Sequence, residues 1–260
     1  MKHNKTALIT GASSGIGAAF ARALAARGYD LVLVARREER LAALAAELQG
    51  RHAIDAEVLV VDLSQPADVE RVVQRVAGLE TLEMLINNAG FGTIGRFFKV
   101  DLAKSLDMIH VHVIASVRFC RAALPGMIAR DRGAIINVAS VAAFSPLVGN
   151  AMYSATKRFL VTFSQSLQME LAGTGVKVQA LCPGFTHTGF HDTPEYERFR
   201  RTLIPGFMWM SAEDVVTGSL KALRRGRVVY VPGFKNRLLV ALAGGGGLAS
   251  HLLRLMVGRR

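Results

Sequence analysis

A tyrosine and a lysine four residues apart have the side-chain types and the spacing that acid–base chemistry needs. Tyr153 and Lys157 lie in a segment, 151–171, whose apolar residues recur with a helical period. Because residues i and i+4 share one face of a helix, the phenol and the ammonium are predicted to be neighbours. A free tyrosine titrates near pH ~10, and a nearby positive charge lowers that pKa. The pair predicts proton exchange with an alcohol or a carbonyl, although such pairs also occur on helix surfaces.

A serine precedes this pair at the end of a predicted strand. Ser140 closes the apolar, β-branched run 133–140, thirteen residues before Tyr153. A hydroxyl at the carboxyl end of a strand, opposite the following helix, can donate a hydrogen bond to a substrate carbonyl. The sequence therefore predicts that Ser140, Tyr153 and Lys157 form one catalytic group.

A glycine-rich turn near the start of the chain predicts a site for a phosphate group. Residues 5–10 form a short apolar run, and Gly11, Gly15 and Gly17 follow before an alanine-rich segment. Backbone N–H groups and the helix dipole face an anion at such a helix start. The spacing differs from the general G-x-G-x-x-G, and a tight strand–helix connection is the alternative. A second apolar run, 30–36, completes a βαβ unit and favours a dinucleotide.

The end of the second strand indicates which dinucleotide is bound. In dinucleotide-binding folds an acidic side chain here holds the ribose 2′-hydroxyl, whereas an arginine accommodates a 2′-phosphate. Arg36 occupies this position, and neither Asp nor Glu does. We predict NADP(H) rather than NAD(H), with Arg36 as the main contact and Arg37 or Arg40 in support. A solvated arginine at the start of a helix is the alternative, and it suits Arg37 and Arg40 better than Arg36.

Strand-like and helix-like segments alternate along most of the chain. Further strand-like runs lie at 56–63, 84–90, 133–140, 175–184 and 227–233. This alternation predicts an α/β fold, a Rossmann-type doubly wound parallel sheet of about seven strands with helices on both faces. We predict a single dinucleotide-binding and catalytic domain over 1–233 and an apolar, basic tail over 234–260. Asn87, at the end of its strand, is predicted to form a turn or to cap a helix.

Together these motifs resemble those of the short-chain dehydrogenase/reductase family over residues 5–233. The matching elements are TGASSGIG (10–17), Asp62, NNAG (87–90), Ser140, YSATK (153–157) and PGFTHT (183–188). The resemblance implies that Ser140 orients a substrate carbonyl and that Tyr153 donates the proton during its reduction. It also implies that Lys157 binds the nicotinamide ribose and lowers the pKa of the tyrosine.

The resemblance further implies a cofactor contact at each matching position. The implied contacts are Gly11, Ser13, Ser14, Gly15, Ile16 and Gly17 for the adenosine and pyrophosphate, Asp62 and Leu63 for the adenine, Asn88, Ala89 and Gly90 near the ribose, and Pro183, Gly184, Phe185 and Thr188 for the nicotinamide carboxamide, beside Tyr153 and Lys157. The family usually carries an asparagine in the long helix before the serine strand, where it holds a water of a proton relay. Here His112 stands at that position. A histidine can replace the asparagine, impair the relay, or be a helix residue without a catalytic part.

Composition limits the other classes of function. The net charge is +12, with basic residues in pairs and triplets rather than a long run, so nucleic-acid binding is not favoured. Two cysteines far apart, Cys120 and Cys182, argue against a disulfide framework and favour a cytoplasmic protein. We expect no signal peptide. His187 and His191 have a metal-ligand spacing but no evident third ligand, so no metal is predicted.

Two segments bear on the substrate and on partners. Residues 186–210 are rich in aromatic residues and methionine and are predicted to cover an apolar substrate. The tail 234–260 contains four consecutive glycines and is a poor transmembrane helix. Contact with an anionic membrane surface, packing against a partner subunit, packing over the active site and a mobile terminus are the alternatives.

The resemblance implies an NADPH-dependent carbonyl reductase, or an alcohol dehydrogenase working in reverse, acting on a small-molecule ketone or aldehyde. A homodimer or homotetramer is expected from the same resemblance. The alternative from another class is an NADP-binding sensor that keeps the fold without turnover, for which His112 is the only support.

Overall fold

The computed structural model describes residues 5–145, 148–191, 196 and 204–244. The strands are β1 Lys5–Thr10, β2 Tyr29–Ala35, β3 Ala56–Val60, β4 Leu82–Asn87, β5 Gly133–Val138, β6 Val176–Leu181 and β7 Val229–Tyr230. The helices are α1 Gly15–Ala25, α2 Glu38–Arg51, α3 Pro66–Ala77, α4 Leu102–Ile109, α5 Ala115–Ala129, α6 Ala151–Glu170, α7 Ala212–Arg224 and α8 Phe234–Gly244. A π-helical turn, His110–Ile114, joins α4 to α5.

The seven strands form one parallel sheet in the order β3-β2-β1-β4-β5-β6-β7. The predicted doubly wound fold is confirmed. Chain order reverses between β1 and β4, so the loops that follow these two strands diverge. A crevice therefore opens at the carboxyl ends of the central strands, where folds of this type bind their ligands.

Helices cover both faces of the sheet because successive strand residues point to opposite sides. Ala7 and Ile9 pack with α1, α2 and α7, whereas Leu8 packs with α3 and α5. Phe20 and Phe119 are among the largest fully buried side chains, one in each layer. The two helix layers hold the sheet in place, and the polar side chains of the crevice lie at the carboxyl ends of its strands.

The strands β3 to β7 are all shorter than the runs predicted for them, and β3 and β7 show two of the reasons. β3 ends at Val60 rather than at residue 63, because Asp62 forms a turn in which its carboxylate accepts the N–H and the hydroxyl of Ser64, at 3.0 and 2.9 Å. β7 has two residues rather than seven and pairs only with β6. An edge strand is stabilised on one side alone, and strand ends are the least regular part of a sheet.

The apolar stretch from α4 to α5, Leu102–Ala129, is by length and composition able to cross a membrane, with a mean hydropathy of 1.3. Within the fold, 44% of the most apolar 18-residue stretch of this segment is buried. Phe119 and Cys120 of this stretch are 1% exposed and pack against the sheet layer that contains α3. This burial is typical of a core helix, whose apolar face is explained by the sheet it covers.

Candidate active site

The three predicted catalytic side chains lie together at the carboxyl end of β5. Ser140 follows this strand, and its hydroxyl accepts the N–H of Ala142 at 3.1 Å. The phenol of Tyr153, on the first turn of α6, lies near the hydroxyl of Ser140. Lys157 Nζ donates to the carbonyl of Val138 at 2.8 Å and lies 5.7 Å from the centroid of the Tyr153 ring. A strand end and one helical turn thus hold the group.

Burial dominates the proton affinities of this group. It raises the pKa of Tyr153 to about 12, an effect that the nearby hydroxyl of Ser140 opposes. It also lowers the pKa of Lys157 to about 7. Burial therefore sets the direction of the Tyr153 pKa shift in this structure, and the lowering of that pKa by Lys157 stays a prediction.

His112 is fully engaged by hydrogen bonds within the π-helical turn. Its Nε2 accepts the N–H of Phe91 at 3.1 Å, so Nδ1 carries the proton and donates it to Thr156 Oγ1 at 2.9 Å. The Thr156 hydroxyl donates in turn to the carbonyl of Tyr153 at 3.0 Å. Burial, together with the charge of Lys157, holds the pKa of His112 well below its usual 6.5. The imidazole is therefore neutral and links the loop after β4 to α6.

The glycine-rich turn between β1 and α1 has the shape that a phosphate site needs. Gly11 and Gly15 have positive φ values of 67° and 56°. A Cβ at Gly11 would lie 2.7 Å from Asn88 Nδ2, so only glycine fits. Asn88 Nδ2 donates to the carbonyls of Thr10 and Gly11, at 2.9 and 3.2 Å. The amide of Asn88 thus holds the turn from the neighbouring strand end.

Of the two arginines that follow β2, Arg37 rather than Arg36 contacts the glycine-rich turn. Arg37 donates to the hydroxyls of Ser13 and Ser14, at 2.8 and 2.7 Å, and so lies against the glycine-rich turn. Its pKa is lowered by burial and by the neighbouring Arg40 and Arg36. Arg36 is exposed, and its Nη1 lies 3.7 Å from Asp62 Oδ2. Arg37 is exposed at the start of α2, as the sequence favoured, and its guanidinium also contacts the glycine-rich turn.

The segment after β6 spans the crevice. The Pro183 carbonyl accepts the N–H of Val141 at 3.0 Å, beside the catalytic serine. At its other end, a Cβ placed on Gly15 would lie 2.8 Å from Thr188 Cγ2. A Cβ on Gly184 would similarly meet the amide of Asn236 at 2.5 Å. Residues 183–188 thus bridge the serine loop and the glycine-rich turn.

The first part of the tail is anchored beneath this segment. Asn236 on α8 is buried, and its Nδ2 donates to the Pro232 carbonyl at 2.9 Å. The sequence did not single out this asparagine, because only the fold brings it against Gly184. Residues 245–260 of the predicted tail lie outside the described residues.

A buried amide network behind the site was also missed. Asn87 Nδ2 donates to Asn137 Oδ1 at 2.8 Å, and Asn137 Nδ2 donates to Ser164 Oγ at 2.9 Å. The prediction of a turn or cap for Asn87 is wrong, because its side chain joins β4 to β5. The same network reaches α6 through Ser164, and it therefore fixes the catalytic helix against the sheet.

Aromatic side chains surround the phenol of the site. The ring centroids of His112 and Phe190 each lie 5.9 Å from that of Tyr153. Tyr196 packs on Phe190 with a centroid separation of 5.3 Å. Residues 192–195 and 197–203 of the predicted substrate cover lie outside the described residues. His187 stacks on Trp209 at 5.0 Å.

Comparisons with known proteins agree with this architecture. The family model described as short chain dehydrogenase matches residues 5–197. A bovine 3-oxoacyl-[acyl-carrier-protein] reductase is 33% identical over 235 residues, which is 88% of this chain and 97% of that protein.

Two solved structures are similar along nearly the whole chain. A short-chain dehydrogenase from Sphingobium yanoikuyae in complex with NADPH has 36% identity and a TM-score of 0.83, covering 98% of this chain and 96% of that one. The bulky-bulky ketone specific alcohol dehydrogenase from Comamonas testosteroni has 30% identity and a TM-score of 0.79, covering 100% and 96%.

Proposed function

Because the chain belongs to the short-chain dehydrogenase family of oxidoreductases, we propose that it is an NADPH-dependent carbonyl reductase, or the corresponding alcohol dehydrogenase. The observation that carries the proposal is the group formed by Ser140, Tyr153 and Lys157 at the mouth of the crevice. The test is loss of NADPH absorbance with a panel of bulky ketones, aldehydes and 3-oxoacyl thioesters. Absence of turnover on the whole panel would favour the sensor alternative.

Within this proposal the residues of the chain position the carbonyl and move one proton. Nicotinamide chemistry supplies the hydride when the cofactor is bound. Ser140 and Tyr153 bind the carbonyl oxygen with their hydroxyl groups, and Tyr153 donates its proton as negative charge develops there. Lys157, held by the Val138 carbonyl, places a cationic group beside the ring and stabilises the phenolate that remains.

The described residues fit a phosphorylated dinucleotide. The positive φ angles of Gly11 and Gly15 leave room for a pyrophosphate at the start of α1. Arg37 is held on Ser13 and Ser14, shortly after β2, the strand whose end contacts the ribose in dinucleotide-binding folds. We propose that Arg37 binds the 2′-phosphate directly, with Arg36 beside it and Asp62 at the adenine.

Replacing Arg37 with glutamine is expected to raise the KM for NADPH by about 30-fold, since charge-assisted hydrogen bonds to phosphate are strong. The KM for NADH should change by less than about threefold, because NADH carries no 2′-phosphate. Arg36→Gln is the matched variant and should have the smaller effect on NADPH. Parallel Michaelis constants for both cofactors test this, and a larger effect from Arg36→Gln would restore the original assignment.

We propose that His112 positions the site and does not relay protons. Both ring nitrogens are already engaged, by Phe91 N–H and by Thr156, and the pKa of the imidazole lies well below 6.5. It would therefore remain neutral across the working pH range. Its hydrogen bonds hold the loop after β4 and the catalytic helix at a fixed separation.

Replacing His112 with asparagine is expected to leave kcat within about fivefold and the pH–rate profile unchanged, since an amide also offers one acceptor and one donor. His112→Phe removes both hydrogen bonds and should lower kcat about tenfold or more. His110→Asn is the control within the same turn. If the pH–rate profile of His112→Asn lacks an ionisation near neutral pH that the wild type shows, the imidazole has a proton-transfer role instead.

We propose an apolar or bulky carbonyl as the substrate class. Phe190 and Tyr196 line the approach to Tyr153 with aromatic surface. The name of the similar Comamonas testosteroni enzyme specifies bulky ketones, and that of the bovine relative a 3-oxoacyl group. A homodimer or homotetramer, a cytoplasmic location and membrane contact through the tail 234–260 stay predictions.

A further inference from the structure

A second cleft lies at the opposite edge of the sheet from the crevice. It has a volume of about 570 Å³ and opens among the amino-terminal ends of the central strands. Lys5 begins β1, Tyr29 begins β2 and Gly133 begins β5, and all three line it. Small-molecule sites commonly measure about 300–1,000 Å³, so the cleft has the size of a ligand site. The proposed redox reaction uses none of its residues.

The floor of the cleft is apolar, and its rim is basic. Four buried side chains form the floor, namely Leu24, Met84, Leu220 and Leu223. Five cationic side chains line the rim, namely Lys5, Arg27, Arg132, Lys177 and Arg224, against the single carboxylate of Glu83. An apolar floor with a ring of cations is the arrangement that accepts an anion carried on a hydrophobic body.

Local partners do not neutralise this ring. Arg132 pairs with Glu83 at 2.6 Å, and Lys177 Nζ donates to the Arg224 carbonyl at 3.3 Å. Among the residues that the structure describes, Arg27 and Arg224 have no carboxylate within ion-pair distance. The carboxyl ends of α1 and α7 attract cations here, but each supplies only about half a charge. A positive excess therefore remains at the rim.

The phenol of Tyr29 adds a neutral polar group to the wall. Lys5 Nζ lies 4.4 Å above the centroid of its ring, which fixes both side chains at one end of the cleft. Burial raises the pKa of Tyr29, with Glu83 adding to the effect and Arg27 and Arg132 opposing it. The hydroxyl thus keeps its proton and can donate to an anionic oxygen.

We propose that this cleft binds an amphiphilic organic anion, with its carboxylate, sulfonate or phosphate on Arg27 and Arg224 and its apolar body on the leucine and methionine floor. Such a ligand would occupy the protein together with the dinucleotide, because the two sites open at opposite edges of the sheet. The proposal is independent of the catalytic assignment.

The probe for this site is 8-anilinonaphthalene-1-sulfonate, titrated by fluorescence in the presence of saturating NADP⁺. We expect the double variant Arg27→Gln/Arg224→Gln to bind it about tenfold more weakly or worse, since it loses two charge-assisted contacts. The control Lys99→Gln/Arg121→Gln removes the same charge elsewhere and should change the Kd by less than about twofold. An unchanged Kd in the cleft variant, or equal losses in both, would overturn the proposal.

Two further measurements separate the cleft from simpler explanations. Inorganic sulfate at the concentration of the probe should fail to displace it, because sulfate makes no use of the apolar floor. Displacement by sulfate would refute the proposed ligand class. Thermal melting checks that the double variant folds. If it does not, Arg27→Gln and Arg224→Gln are each expected to weaken binding about threefold as single variants, and no effect from either would contradict the site.

Discussion

Replacing Tyr153 with phenylalanine is expected to lower kcat/KM for carbonyl reduction by about 10³-fold, within the range of general acid catalysis. The ring would remain between His112 and Phe190, whose centroids lie 5.9 Å away. Only the hydroxyl near Ser140 is lost. The loss should appear mainly in kcat, because the proton is needed in the transition state and not for cofactor binding.

Steady-state kinetics with NADPH and a ketone measure this effect, and Tyr230→Phe serves as the matched control. Tyr230 lies on the edge strand β7 and takes no part in the catalytic group. Binding of NADPH, followed by fluorescence, should be retained in Tyr153→Phe. Activity within tenfold of the wild type would show that another group supplies the proton.

Replacing Lys157 with methionine is expected to abolish most activity and yet to increase stability near neutral pH. Burial lowers the pKa of Lys157 from 10.5 to about 7, so folding requires an ammonium to lose its favourable hydration. At one pKa unit per 1.36 kcal/mol, the group costs about 4 kcal/mol at pH 7. Methionine removes that cost. It also leaves the Val138 carbonyl without a hydrogen bond, which lowers the free energy of unfolding by about 1–3 kcal/mol.

The pH dependence has a definite sign. Below the folded pKa of about 7 both states hold the proton and the full cost is present. Between that value and the unfolded 10.5 only the unfolded state binds the proton, so the wild type gains stability as the pH rises.

Urea unfolding of both proteins at pH 7 and pH 10, without added nucleotide, tests this expectation. The advantage of Lys157→Met should shrink by about 3 kcal/mol between the two conditions. Lys221→Met, on the exposed face of α7, should show no such change. A difference between Lys157→Met and wild type that stays constant with pH would mean that Lys157 is charged in the folded state.

Local spacing was enough to predict which catalytic groups meet. Tyr153 and Lys157 follow from helical periodicity, and Ser140 follows from its place at the end of β5. The sheet itself follows from alternating strands and helices. In each case the information lies within a few residues of the side chain concerned.

Properties that depend on packing between distant segments could not be predicted. The choice between Arg37 and Arg36 depends on the direction in which the chain leaves β2 and on Ser13 and Ser14, more than 20 residues earlier. The direction of the Tyr153 pKa shift depends on burial, which the i, i+4 spacing does not report. The partner of Asn87 is Asn137, 50 residues away on the adjacent strand.

We propose that this chain delivers hydride from NADPH to a carbonyl carbon while Tyr153 provides the proton. The most direct measurement uses NADPH that carries deuterium at both C4 positions and a reducible bulky ketone, with mass spectrometry of the alcohol formed. We predict one deuterium on the carbinol carbon, and product formation about 10³-fold slower with Tyr153→Phe. Alcohol without deuterium, or equal rates from both proteins, would contradict it.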